Sequence, residues 1–250
     1  MITAPVGFRC PDCVRAERPV QPVTVAGATA IIKPYVTYTL IAINVIVFLI
    51  QYSAGINEVA SEFGMWPVGI AAGGEWYRLL SSAFLHGSFL HIAFNMYVLF
   101  ALGPTLERIL GHARFIALYI AAALGGAVAS YYFSDIRTVS VGASGAIFGL
   151  MGALVVAGRR LRYDITQVLI LLGINVVIGF LAPGIDWRAH LGGLVVGAVV
   201  AAILVHAPKR GRTLIQVAGV GGVFLVLIAL TMMRTAQIQD LLAPLGVITT

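Results

Sequence analysis

The chain has 250 residues, of which 60% are hydrophobic and only 10% charged, and its mean hydropathy is +0.96. An average soluble domain is about 25% charged, so these polar side chains cannot cover a water-facing surface, and a soluble globular protein is excluded. The net charge of +6 is scattered, with no basic stripe interleaved with aromatics; this excludes a nucleic-acid-binding face and leaves charge to be read as a distribution across a membrane.

In chain order, an N-terminal arm (1–34) carries "VGFRCPDC". Cys10 and Cys13 form a C-x-x-C knuckle. In a reducing compartment it does not form a disulfide, and it supplies two of the four ligands that tetrahedral zinc needs. Two readings stay open: an unmetallated turn, or a zinc site completed from elsewhere. Seven apolar stretches follow, at 35–53, 84–103, 113–133, 142–158, 165–182, 187–207 and 215–233. Each approaches the roughly 20 residues needed to cross a hydrocarbon core of about 30 Å. They are apolar all round and rich in Gly and Ala, as polytopic bundles are, and the alternation of a β-barrel is missing. The expected class is therefore an all-α polytopic membrane protein, six of the seven stretches lying within 35–207. A C-terminal part (208–250) holds a loop, a seventh span and a short tail. Between the first two spans, 54–78 reads as a long loop lying on or partly in a leaflet, with Trp66 and Trp76 as interfacial anchors.

The basic residues set the orientation. Arg9, Arg15, Arg18, Lys33, Arg108, Arg114, Arg159, Arg160, Arg162, Lys209, Arg210 and Arg212 fall on one side; Arg78, Arg137, Arg188 and Arg234 fall on the other. Twelve against four predicts that the first side is cytoplasmic, with the N-terminus inside and the C-terminus outside, in the cell (plasma or inner) membrane.

Strongly polar side chains are costly inside a bilayer and mark function. The spans hold few: His86, His91 and Asn95 on the second, Ser144 opening the fourth, His190 opening the sixth. The charge-derived topology puts all of them toward the outer side. From Ser144 to Arg159 is about 22 Å of helix, so Ser144 sits several ångströms below the outer face. His91 and Asn95 are i and i+4 and share a helix face. Ser144 lies at a helix N-terminus, where free N–H groups favour negative charge, and His190 is a histidine able to take a proton. A serine, a histidine and a group of donors are the minimal set for acyl transfer. Each also has a plainer reading: Ser144 as a small packing residue, His91 and Asn95 as interhelical hydrogen-bond glue, His190 as an interfacial histidine. Asp186 reads as the N-cap of the sixth helix or as an orienting group for His190.

Together these residues resemble the rhomboid family of intramembrane serine proteases. "GASGAIFG" (142–149) resembles the family's G-x-S-G motif, "AHLGGLVVG" (189–197) its A-H-x-x-G-x-x-x-G motif, and "HGSFLHIAFN" (86–95) its second-helix histidine and asparagine. "EWYRLL" (75–80) and "LERILG" (106–111) resemble its first-loop and Glu-x-x-x-Gly motifs. The resemblance implies a dyad of Ser144 as nucleophile and His190 as base, with an oxyanion hole from His91, Asn95 and the Ser144 N–H. It gives structural roles to Gly142, Gly145, Phe148, Gly193, Gly197, His86, Trp76, Arg78 and Glu107. It implies that no cofactor is required for catalysis, and it makes the CxxC arm similar to the second half of a zinc-ribbon-like segment. Partners would be single-span or polytopic membrane-protein substrates in the lipid bilayer, with no nucleic acid, cut near the outer side. Phe148 departs from the family's usual tyrosine, and the seventh span is an addition seen in some members. The alternative within the family is an inactive client-binding or quality-control factor, which usually lacks the serine or the histidine. A transporter would show paired repeats with broken helices, and none is found.

Overall fold

Pro34 and Gly55 bracket the first apolar run, and between them lies α1, Tyr35–Ala54. The computed structural model describes residues 2–3, 7–12, 23–31, 33–181 and 184–245. Three short helices follow: α2 (Ile56–Phe63), α3 (Pro67–Gly73) and α4 (Arg78–Ser81), the last running into a 3-10 turn, Ser82–Phe84. The long helices are α5 (Phe89–Leu110), α6 (His112–Phe133), α7 (Ser144–Leu161), α9 (Trp187–His206) and α10 (Arg212–Leu242), with the shorter α8 (Thr166–Leu181) between α7 and α9. The strand content among the described residues is slight: a two-residue antiparallel pair, Ile2–Thr3 with Phe8–Arg9, and two isolated bridges. The protein is all-α and, with α1, α5, α6, α7, α9 and α10 each long and apolar enough to cross a membrane, it is a multi-pass membrane protein.

Three predicted boundaries move, each for a local reason. The second span begins at Phe89 rather than 84, because the Ser88 side chain accepts the His91 N–H (3.2 Å) and caps the helix; His86 is left in the segment before it. The stretch 165–182 is a helix of 16 residues, about 24 Å long, short of a full hydrocarbon core. Asp164 starts it by accepting the Thr166 N–H (2.9 Å), and the sequence breaks at Pro183-Gly184. The last span continues well past 233 to Leu242, because Thr235, Ile238 and Leu242 recur on one buried face. Ile238 and Leu242 pack with Met65, Ile70 and Ala71, so the end of α10 clamps the short helices after α1. There, Gln239 donates to the Ala71 carbonyl (2.8 Å).

Two-thirds of the spanning windows of α6 and α7 are buried, against 17% for α10. The first two form the centre, and α10 is peripheral. The bundle is tied at both ends by buried polar groups, which a lipid-embedded chain must satisfy internally. At one end the fully buried Glu107 carboxylate accepts from Val36 N (2.9 Å), Thr37 N (2.8 Å) and Thr37 Oγ1 (2.6 Å), and pairs with His112 Nδ1 (2.5 Å). It closes the open N-terminus of α1 against the C-terminal turn of α5. Nearby, Gln216 joins α10 to Ala26 and to Leu204 of α9. At the other end Gln51 of α1 accepts the His86 N–H (2.9 Å).

Glu107→Ala leaves a buried backbone N–H (Thr37), a part-buried one (Val36) and a buried hydroxyl without this partner. At about 1–3 kcal/mol for each such group, it should lower unfolding free energy by at least about 3 kcal/mol. Thermal unfolding in detergent micelles checks this; an unchanged midpoint would show that the carboxylate does not hold α1.

Candidate active site

The segment leading into α7 has little freedom. Met65 and Ser140 exchange both backbone hydrogen bonds (2.9 Å each), and Gly142 N donates to the Ser82 carbonyl (2.9 Å). Gly142 has φ +140°, which L side chains rarely adopt. A Cβ there would also sit 2.8 Å from His91 Cε1. Two residues on, Ser144 opens α7, with its backbone N–H among the four that have no intrahelical partner.

His190 arrives from the first turn of α9. Its Nε2 lies 2.9 Å from Ser144 Oγ, and its ring stacks on Phe148 with centroids 4.1 Å apart and planes at 13°. The closeness of the two helices rests on missing side chains. A Cβ on Gly193 would overlap the Gly145 carbonyl oxygen, and one on Gly197 would overlap the Gly149 backbone. The contact between α7 and α9 is thus a backbone-to-backbone seam, and α6 is its third member. A Cβ on Gly126 would meet the Ala189 carbonyl at 2.8 Å and Gly145 Cα at 3.1 Å.

From α5 come His91 and Asn95. Asn95 is buried and donates from Nδ2 to the His91 carbonyl (2.9 Å); an amide NH2 has two donors, so one remains for the cavity. His91 Nδ1 accepts the Gly87 N–H (3.4 Å), which leaves Nε2 as the protonated nitrogen. Its Nε2 lies beside Gly142. Ser144, His190, His91, Asn95, Gly142 and Phe148 all line one cavity of about 720 Å³.

The other predicted residues stand outside that cavity. His86 is fully buried, edge-on to His91 (centroids 5.1 Å) and near Phe48. Arg78 is buried, pairs with Glu75 (2.5 Å), donates to the carbonyls of Ser61 (2.9 Å) and Gly64 (3.0 Å), and faces the rings of Trp66 and Tyr77. It therefore holds the corner between α2, α3 and α4. Trp76 is 46% exposed and lines a separate apolar cavity beside α10. Glu107 is at the opposite end of the bundle. Cys10 is exposed; Cys13 lies outside the described residues. Among the described residues no three His, Cys, Asp or Glu side chains cluster as metal ligands.

Of the two readings of Asp186, the cap is the one the geometry realises. Its carboxylate accepts the N–H groups of Arg188 and Ala189 (3.2 Å each) and the hydroxyls of Ser140 (2.7 Å) and Ser130. Sequence reasoning missed Ser130, Ser140 and the glycine pair of α6. The run "AAALGGAVAS" (121–130), small residues throughout, was a legible sign of close packing by α6. Nothing local marked Ser140.

The Rhomboid domain family matches residues 73–207 of the chain. Among curated proteins, it is 39% identical over 187 residues to "Rhomboid protease GluP" of Bacillus subtilis, covering 72% of this chain and 36% of that protein. It is 39% identical over 147 residues to "RHOMBOID-like protein 5" of Arabidopsis thaliana, covering 55% and 47%. It is 29% identical over 210 residues to "Rhomboid protease AarA" of Providencia stuartii, covering 70% and 74%. The chain thus spans only about a third to a half of the length of the first two.

Gly193→Ala forces α9 away from Gly145. Overpacking of this kind costs about 1–3 kcal/mol, and the Ser144–His190 separation should open beyond hydrogen-bond distance. A crystal structure of the variant in lipidic mesophase reads that separation; an unchanged 2.9 Å would show that the seam does not set it.

Proposed function

The chain belongs to the rhomboid family, and on that premise we propose that it is an intramembrane serine endopeptidase that cuts transmembrane segments of other membrane proteins. The observation that carries this reading is the 2.9 Å approach of His190 Nε2 to Ser144 Oγ, in a cavity shared with unused hydrogen-bond donors.

Ser144 Oγ attacks the carbonyl carbon of the scissile peptide while His190 Nε2 takes its proton. Charge builds on the carbonyl oxygen, within reach of the Ser144 N–H, the second Asn95 Nδ2 hydrogen and the His91 Nε2–H. Donors fixed in advance cost no reorganisation when the charge appears. The imidazolium stays planar against Phe148, an aromatic face that favours a cation without contributing a hydroxyl. Collapse of the tetrahedral intermediate breaks the C–N bond, and the departing amine carries the proton off His190. Water, deprotonated by the same nitrogen, then hydrolyses the ester on Ser144 and restores the hydroxyl.

Arg159 and Arg160 in the last turn of α7 support, by the positive-inside rule, a reading with the cavity on the outer side and the N-terminus cytoplasmic. A substrate enters from the surrounding lipid and must present an unwound stretch, because a helical carbonyl is already hydrogen-bonded. Membrane helices with helix-weakening residues near their outer end are the substrate class that fits.

In proteoliposomes with a single-span substrate, Ser144→Ala should abolish cleavage with folding intact; full cleavage by that variant would overturn the proposal. Asn95→Ala should lower kcat by about tenfold, less than the 10²–10³ seen when one oxyanion donor is removed from a soluble serine protease, because two other donors remain.

A further inference from the structure

Asp186 stands four residues before His190, and Ser140 four residues before Ser144. The two meet, Ser140 Oγ donating to Asp186 Oδ2 at 2.7 Å. The same oxygen takes the hydroxyl of Ser130, from the last turns of α6. The other oxygen caps the first turn of α9 through Arg188 N and Ala189 N (3.2 Å each). The Asp186 carbonyl accepts the His190 N–H (3.3 Å). One carboxylate therefore gathers the end of α6, the segment that delivers the serine and the helix turn that delivers the histidine. Ser140 is itself held by two backbone bonds to Met65, so the tie is made to a segment that is pinned in turn.

The glycine seam cannot do this alone. Glycines let α7 and α9 approach backbone to backbone, and the side chains that reach across, Leu194 toward Gly152 and His190 on Phe148, are too few to set alone how far one helix slides or turns against the other. Something must fix register near the cavity, and hydrogen bonds to a charged acceptor are the strong kind.

We infer that Asp186 is the positioning residue that sets Ser144 against His190, acting through Ser140 and Ser130 rather than through the imidazole. This rests on the protease reading above.

Asp186→Asn separates the clasp from the cap. Asparagine caps helices as well as aspartate, but it replaces the oxygen shared by two hydroxyls with an NH2 donor. Kinetics in proteoliposomes with a single-span substrate should show kcat falling on the order of 10–10²-fold, the scale of a misplacement of about 1 Å. KM should be unchanged, and the thermal midpoint should fall by much less than in Glu107→Ala. Ser140→Ala should give a smaller fall, and Ser140→Thr, which keeps the hydroxyl, should recover most of it. Adding Ser140→Ala to Asp186→Asn should cost nothing further, since residues acting through one network are not additive. A wild-type kcat in Asp186→Asn, losses that follow the thermal midpoint, or fully additive losses would overturn the inference. If wild type and Ser144→Ala cleave alike, or neither cleaves, the protease reading itself fails; with an active wild type and a dead Ser144→Ala, only the role of Asp186 is at stake.

Discussion

Helices in lipid gain nothing from hiding apolar surface, because the surrounding tails are as apolar as they are; they associate through close packing and hydrogen bonds. Here that limit is met by backbone contact between α6, α7 and α9. Gly193 and Gly197 lie against the carbonyls of Gly145 and Gly149, and Gly126 lies between Gly145 and Ala189. Without that contact α7 and α9 cannot come close enough for Ser144 and His190 to meet. Everything chemically distinctive about the protein is arranged around that seam. Phe148 backs the histidine from the same helix that carries the serine, and Gly142 keeps room for the His91 ring beside Ser144.

The polar ties divide the work. Glu107 and Gln216 close the end of the bundle away from the cavity, where nothing chemical is asked of them. Arg78 fixes the corner of the short helices after α1. At the cavity end, Gln51 holds the His86 backbone, and Asp186 gathers three segments. The cavity is thereby bounded by a well-tied floor, α6, α7 and α9, and by α5 and α8, which share fewer such ties with it. His91 and Asn95 come from α5, and their hydrogen bonds run within α5 and to Gly87 just before it.

Much of this was legible in the sequence because the bilayer restricts choices so severely. Apolar length marked the long helices, and the few polar residues within them include Ser144, His190, His91 and Asn95, which share one cavity, beside Asn44, Gln51, Asn175 and Gln216. The offsets of Gly193 and Gly197 from His190 announced a close helix contact. What the sequence could not display was anything made by tertiary pairing. The burial of His86 against Phe48, the bond from Ser140 to Asp186, and the extra turns of α10 that pack Ile238 and Leu242 under the short helices each join residues far apart in the chain. Local pattern also misjudged ends: Ser88 as a cap starts α5 later than hydropathy suggests, and α8 is a helix of only 16 residues.

The central claim is that the seam makes Ser144 a nucleophile activated by His190. Intact-protein mass spectrometry after exposure to a fluorophosphonate, with the adduct mapped by peptide, tests it without any knowledge of substrate. The account predicts a single adduct on Ser144 in the wild type and none in His190→Ala. No adduct in the wild type, or equal labelling without His190, would contradict it.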